Sequence, residues 1–214
     1  PQISKMLEKL KIQSSFIDGL RVTDQETVEI VEMVLCGAIN KQIVTEINSA
    51  GGMAMGISGK DCNLISARKL RRTKKDPDSN IEQILDLGFV GEPTEINPEA
   101  LVFFEESDII PVIAPIGIGE NNETYNINAD SAAGAISAAL AAHKLIMLTD
   151  VPGVLDKGGN LISHLTFNEA QRLIRNGTIS GGMIPKVETC MDAISNHTEA
   201  AHILDGRIPH VLLL

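Results

Sequence analysis

The chain has 214 residues, of which 43% are hydrophobic and only 3% aromatic, so it is long enough for one large aliphatic α/β core or two small ones. Its net charge of −10 and its isoelectric point of about 4.9 argue against nucleic acid as a partner. No apolar run approaches the roughly 20 residues of a membrane span, and three widely spaced cysteines predict reduced thiols of an intracellular protein.

Helix and strand signals alternate through the first half of the chain. Thr23 and Glu26 have the spacing of a capping box, and apolar residues follow at helical spacing to Ala38. A second helix is predicted over 40–47, ended by Gly51 and Gly52. Strands are predicted over 53–57 and 63–70, with a turn at 58–61, a loop at 76–80 and a hairpin arm over 87–96.

The second half continues the alternation. Helices are predicted after Asn97-Pro98, over 129–143 with Asn128 as the cap, after the capping box Thr166/Glu169 as far as Gly177, and over 183–195. Strands are predicted over 109–116, ended by Gly117 to Gly119, and over 144–148, 201–204 and 209–214. Helices that alternate with short aliphatic strands favour a mainly parallel sheet with helices on both faces.

Three polar side chains, Asn126, Asn128 and Asp130, lie where a predicted strand ends and a helix begins. Ligands of open α/β sheets bind beyond the carboxyl ends of strands, and a helix start offers free N–H groups and the positive end of the helix dipole. A helix cap and a turn would explain Asn128 alone, whereas all three together favour a binding site.

Two loops have the composition of a nucleotide site. Thr149 to Val154 follows a buried strand, and its Gly and Pro residues allow the backbone to pass close to a flat ligand; an ordinary tight loop explains it equally well. Gly181 and Gly182 precede a helix whose first turn carries Lys186. A cation there opposes the helix dipole, which favours a nearby anion. This segment lacks the P-loop pattern, and a solvent-exposed lysine is the alternative.

Arg21 stands just before a predicted helix, in the sequence Gly-Leu-Arg-Val-Thr. A guanidinium suits bidentate binding of a carboxylate, although a surface ion pair explains it equally well. None of the five histidines stands in a nucleophilic or metal-binding arrangement.

Seven motifs together resemble those of the acetylglutamate kinases, a family within the amino-acid kinase superfamily. They are GLRVTD, INSAGG, SGKD, GFVGE, NINAD, LTDVPGVL and GTISGGMIPKV, and the similarity runs over nearly the whole chain. The resemblance implies transfer of the γ-phosphoryl group of ATP, bound with Mg²⁺, to the side-chain carboxylate of N-acetyl-L-glutamate in arginine biosynthesis. It also implies a three-layer αβα sandwich with a mainly parallel open sheet, like that of carbamate kinases.

The resemblance also implies roles for individual residues. Lys186 would stabilise the transferring phosphoryl group, and Asp130 would orient the catalytic lysines. Arg21, Asn126 and Asn128 would bind N-acetylglutamate. The ATP site would be lined by Thr149, Asp150, Val151, Pro152, Gly153, Val154 and Leu155 and by Ser180, Gly181, Gly182 and Met183. The segment around His202, Asp205 and Gly206 resembles that of arginine-inhibited members, although a plain turn explains Asp205-Gly206 as well.

The family begins with a lysine-bearing strand and Gly-rich turns that are not found ahead of residue 1, and its C-terminal segment is not found after residue 214. We therefore expect a single partial kinase domain that lacks the first strands, with little activity of its own. Substrate binding and dimerisation are expected in about 1–120 and ATP binding in about 121–214.

The expected assembly is a homo-oligomer, a dimer or a hexamer. Arginine as a feedback inhibitor and a PII signalling protein are further suggested partners. The expected compartment is the cytoplasm, or the plastid stroma if the source is a photosynthetic eukaryote. The alternatives are another amino-acid kinase, of the glutamate 5-kinase or carbamate kinase type, and a non-catalytic regulatory subunit that binds arginine or a partner protein.

Overall fold

The computed structural model describes residues 2–13, 15–17, 20–75 and 82–213. The chain divides into two compact units, Pro1–Ala132 and Ala133–Leu214, and each is described by itself. The predicted loop at 76–80 lies outside the described residues. The α/β class is confirmed, since helices alternate with strands and several strand pairs are parallel.

The described residues of the first unit form four α-helices and the start of a fifth. They are α1 Gln2–Lys9, α2 Gln25–Glu32, α3 Asn40–Ser49, α4 Glu99–Glu105 and α5 Ala129–Ala139, which contains the boundary between the units. Its strands are β1 Phe16–Ile17, β2 Leu20–Arg21, β3 Met53–Ser58, β4 Ile65–Lys69, β5 Arg72–Lys75, β6 Glu82–Leu85, β7 Val90–Ile96, β8 Ile109–Ala114, β9 Ile116–Ile118 and β10 Thr124–Ile127.

The strands of the first unit pair in two main groups. β3 and β8 form a parallel pair in which Met53 lies opposite Ile109. β4, β7, β9 and β10 close into a four-stranded ring through parallel and antiparallel pairings. The fully or almost fully buried side chains Ile65, Ile116 and Ile127 belong to this ring. The aliphatic pattern did not predict which strands pair antiparallel, because the partner of each strand depends on residues distant in sequence.

The helix that starts after Arg21 differs in two details from the prediction. Its cap is Asp24, whose carboxylate accepts from the N–H of Thr27 at 2.8 Å, whereas Thr23 is fully buried and its hydroxyl donates to the carbonyl of Arg21. The predicted break before residue 40 is absent, since a π-helical turn over Met33–Ile39 joins α2 directly to α3. Such turns occur frequently at functional sites.

Three other boundaries in the chain were predicted wrongly. The strand expected over 109–116 ends at Ala114, and Gly117 lies inside the next strand, where a Cβ atom would come within 2.9 Å of that of Ala67. Helix α5 ends at Ala139 rather than at residue 143, because the chain reverses through Ala141 at φ +46°. The predicted strand over 209–214 is instead a short 3₁₀ turn, Val211–Leu213.

The second unit packs helices against one parallel strand pair. It contains most of α5 together with β11 Lys144–Thr149, α6 Phe167–Arg175, α7 Met183–Ser195 and β12 Ala200–Asp205. Alternate residues of β11, Leu145 and Met147, are buried against Cys190 and Ala193 of α7. The predicted capping box of α6 is confirmed, since Thr166 and Glu169 satisfy each other's backbone N–H groups.

Gly134 of α5 lies close to Thr189 of α7. A Cβ atom at Gly134 would collide with Cγ2 of Thr189, a side chain whose β-branching leaves it little rotamer freedom in a helix. Gly134→Ala is therefore expected to destabilise the chain by about 1–3 kcal/mol. A chain of this size loses about 2–4 °C in Tm per kcal/mol, so thermal unfolding can measure the effect.

Thr189→Ser provides the matched control for that prediction, because it removes the methyl group that blocks the new Cβ. In the Gly134→Ala/Thr189→Ser double variant most of the lost Tm should return. A Gly134→Ala chain with unchanged Tm would show that Thr189 or the two helices shift at little cost in stability.

Candidate active site

The predicted carboxylate-binding residues follow the end of β10. Asn126 is half-buried, and its N–H donates to the carbonyl of Phe89 at 2.9 Å. The side-chain oxygen of Asn128 accepts from the N–H groups of Asp130 and Ser131 at 2.9 and 3.3 Å, so Asn128 does cap α5. Asp130 stands half-buried in the first turn of that helix, where a negative charge is stabilised by the helix dipole.

Hydrogen bonds across Gly88 join the segment after Arg21 to β10. Thr23 donates to the carbonyl of Leu87 and accepts from Phe89, whose own carbonyl bonds Asn126. Gly88 lies between them at φ +68°, and a Cβ atom there would collide with the carbonyl of Thr23. The segments that carry Thr23 and Asn126 are therefore both bonded to the backbone around Gly88, within one unit.

The guanidinium of Arg21 lies against α1 and β1. Nη2 donates to Oγ of Ser4 at 3.0 Å, and Cζ stands 4.5 Å from the ring centroid of Phe16. Partial burial lowers the pKa of Arg21 from its ordinary value. The planar guanidinium is thus stacked on one face, an arrangement that restricts its rotation.

The loop after β11 is anchored at both of its ends. Gly206 donates to the carbonyl of Thr149 at 2.8 Å, and Ile162 donates to that of Val154 at 2.9 Å. Val154 is buried in the cluster around Ala170, while the predicted ligand-lining residues Asp150, Val151 and Pro152 are exposed beyond the carboxyl end of the strand. The loop is therefore held in place with its middle facing outward.

The start of α7 is built from the two glycines that the sequence singled out. Gly181 has φ +56°, which a glycine adopts without strain, and Gly182 caps the helix. A Cβ atom at either glycine would meet no heavy atom of the described chain within 4 Å. Packing against the rest of the unit therefore does not explain Gly182. Lys186 follows in the first turns, half-buried and next to the buried Val187.

The structure separates the residues of the suggested arginine site. Asp205 is buried, and both of its carboxylate oxygens accept from Arg207, at 2.8 Å from Nε and 2.8 Å from Nη2. This bidentate pairing lowers the pKa of Asp205 to about 2. His202 is exposed on the opposite face of β12, since side chains alternate along a strand.

Sequence reasoning missed two cations near these elements. Arg207 binds Asp205 and carries an electrostatic interaction with Asp150 of the neighbouring loop. Lys60 contacts β10 directly, at Thr124. The Asp-Gly-Arg spacing of a tight turn could have indicated the first, whereas nothing local indicates a contact between Lys60 and residue 124.

Two kinds of feature are absent from the part of the chain that the structure describes. Within residues 2–13, 15–17, 20–75 and 82–213, no group of three or more His, Cys, Asp or Glu residues could hold a metal ion. No helix among the same residues is long and apolar enough to span a bilayer.

Comparison with known proteins places this fold and these motifs in one class. The chain belongs to the amino acid kinase family, whose model matches residues 1–205. Within that class it stands among the acetylglutamate kinases. The enzyme of Rhodospirillum rubrum is 65% identical over all 214 residues and 69% of its own length, and that of Rhodospirillum centenum is 64% identical over 70% of its length.

A solved structure shares this fold. The protein smu.665 of Streptococcus mutans superposes with a TM-score of 0.80 at 30% identity, covering 95% of this chain and 78% of that one. The expected family is confirmed. The roles of individual site residues stay predictions.

Proposed function

We propose that this chain transfers the γ-phosphoryl group of ATP to the side-chain carboxylate of N-acetyl-L-glutamate, a step of arginine biosynthesis. The observation that carries the proposal is the 65% identity, across the full 214 residues, with an acetylglutamate kinase. The acceptor carboxylate is already ionised at neutral pH, so the reaction requires no general base. The task of the protein is then to align the two reactants and to neutralise spreading charge.

The start of α7 supports a role in binding phosphate. The Gly181-Gly182 turn leads into a helix N-terminus, where the positive end of the helix dipole favours anions. Lys186 adds a full positive charge within the same turns. We assign Lys186 to the transferring phosphoryl group and residues 180–183 to the ATP phosphates. Mg²⁺ bound to those phosphates would supply further charge neutralisation.

The anchored loop after β11 supports a role in holding the nucleotide. Its ends are bonded to Gly206 and Ile162, whereas Asp150, Val151 and Pro152 face outward. This combination gives a fixed backbone that can lie along a flat ring. We assign residues 149–155 to ATP.

The acceptor side of the reaction is assigned to the first unit. Arg21 and Asn126 would bind the α-carboxylate of N-acetylglutamate, and Asn128 would contribute its amide while its oxygen caps α5. Asp130 would orient the cations around the phosphoryl group. The stacked guanidinium of Arg21 supports its assignment, since a pre-oriented fork suits a carboxylate.

The direct test is ATP-dependent phosphorylation by the purified chain, measured as ADP release with N-acetylglutamate, glutamate or carbamate as the acceptor. The rate is expected to be low, and N-acetylglutamate should be the preferred acceptor. Preference for glutamate or carbamate would favour the alternative kinases. Binding of arginine without turnover of any acceptor would favour the regulatory subunit.

Arg21→Lys is expected to raise the KM for N-acetylglutamate at least roughly tenfold, because an ammonium group cannot reproduce the bidentate geometry. A tenfold change corresponds to about 1.4 kcal/mol. The KM for ATP should change little, which makes it the internal control. Steady-state kinetics with each substrate varied in turn would measure both, and an unaltered KM for N-acetylglutamate would remove Arg21 from the site.

The same proposal includes inhibition by arginine, binding of a PII protein, a homo-oligomeric assembly and a cytoplasmic location. The pairing of Asp205 with Arg207 means that an arginine ligand at this position would have to share or displace an existing guanidinium. Inhibition by free arginine that survives Asp205→Asn would place the effector elsewhere.

A further inference from the structure

A network of side chains ties α2 to β10 through Lys60. Its ammonium group donates to Oε1 of Glu32 at 2.8 Å and to Oγ1 of Thr124 at 3.0 Å. The side chains of Lys60 and Glu32 are each 32% exposed, so this ion pair is partly shielded from water. The contact with Thr124 joins residues 64 positions apart in the chain.

Thr124 lies on the same face of β10 as Asn126. Residues two apart on a strand point to the same side, and the intervening Tyr125 is buried on the other side. We propose that Lys60 is a positioning residue, which holds the face of β10 that carries Asn126 in place for binding the acceptor carboxylate. This inference rests on the function proposed above.

The turn that carries Lys60 is rigidly built. The N–H and the hydroxyl of Ser58 both donate to Oδ2 of Asp61, at 2.6 and 2.9 Å, and the N–H of Lys60 donates to the hydroxyl of Ser58. Gly59 donates to the carbonyl of Ala114, and a Cβ atom at Gly59 would collide with the carbonyl of Ile116. The backbone next to Lys60 is therefore bonded to β8 and lies close to β9, which pairs with β10.

Substitution of Lys60 would leave the carboxylates around it without a positive charge. Burial, followed by the negative charges of Glu32 and Asp61, raises the pKa of the neighbouring thiol of Cys36. Lys60 supplies the positive charge among these carboxylates. Without it, the negative charge of Glu32 would stand unneutralised beside Thr124, on the face of β10 that also carries Asn126. Both the position of β10 and the local potential would then disfavour the acceptor.

The experiment compares Lys60→Met, Thr124→Val and their double variant, with KM for each substrate, kcat and Tm as readouts. Lys60→Met should raise the KM for N-acetylglutamate at least fivefold and leave the KM for ATP within twofold. Thr124→Val should act in the same direction, and the double variant should fall short of the product of the single effects, since both break one contact. Adding Glu32→Gln to Lys60→Met should recover part of the lost affinity.

Lys41→Met is the matched control, because Lys41 also anchors a strand, donating to the carbonyl of Gly56 at 3.0 Å, but it does not contact β10 in this way. Its KM values should equal those of the wild type. If Lys60→Met fails to fold, Thr124→Val, which removes a single hydroxyl, carries the test.

A wild-type chain that phosphorylates N-acetylglutamate, combined with unchanged KM in both the Lys60 and Thr124 variants, would overturn the inference and leave the proposed function standing. A lower Tm with both KM values unchanged would likewise overturn it, since it would reveal a purely structural contact. Failure of the wild type to use N-acetylglutamate would overturn the proposed function, and this inference with it.

Discussion

Lys186→Gln is expected to lower kcat by about 10²–10³, the usual effect of removing one group that stabilises charge developing in a transition state. Glutamine keeps most of the length of the side chain and can donate a hydrogen bond, but it carries no charge. Because the charge on the phosphoryl oxygens is redistributed mainly in the transition state, the KM values should change much less than kcat. Single-turnover measurements with saturating ATP and N-acetylglutamate would separate the chemical step from product release.

Lys144→Gln is the control for Lys186→Gln. Lys144 is an exposed lysine at the first residue of β11, at the opposite end of that strand from the loop assigned to ATP. The same change of charge there should leave kcat within twofold. Equal kinetics in the two variants would show that Lys186 stabilises no charge in the reaction.

Asp130→Asn is expected to reduce kcat by about 10²-fold with modest changes in either KM. The substitution preserves the shape of the side chain and removes the charge with which Asp130 would orient the catalytic lysines. Loss of a negative charge in the first turn of a helix by itself costs about 0.3–1 kcal/mol of stability. Turnover and Tm measured on the same preparation would therefore distinguish the two contributions.

Glu99→Gln provides the comparison for Asp130→Asn, because Glu99 is also an acidic residue in the first turn of a helix, α4, outside the candidate site. The stability lost in Glu99→Gln measures the contribution of the helix dipole, and only Asp130→Asn should lose turnover. A near-wild-type kcat in Asp130→Asn would show that Asp130 has no role in turnover.

Signals that act over a few residues were predicted well. Asn128 caps α5, Thr166 and Glu169 form a complete capping box, and Gly177 follows the end of α6 in the left-handed conformation. In each case a side chain or a glycine satisfies backbone groups within four residues. Such contacts form with whatever follows in the chain, so sequence alone carries the information.

The errors arose where distant residues compete for the same backbone. Thr23 was expected to cap the helix, but Asp24 has that role because Thr23 is buried and bonded to residues 87 and 89. Gly117 looked like a strand breaker, yet it lies within a strand whose neighbour, Ala67, leaves little room for a Cβ atom. A local pattern does not reveal which partner a strand will meet.

The sequence by itself determined the family, most of the helices and strands and the candidate residues, since these follow from motifs and from periodicity within single elements. Only the tertiary structure decided which strands pair, that Arg207 forms a salt bridge with Asp205, and that Lys60 donates a hydrogen bond to Thr124. The physical reason is range: caps and turns are satisfied by neighbours in the chain, whereas ion pairs and strand partners depend on packing that brings residues together from far apart.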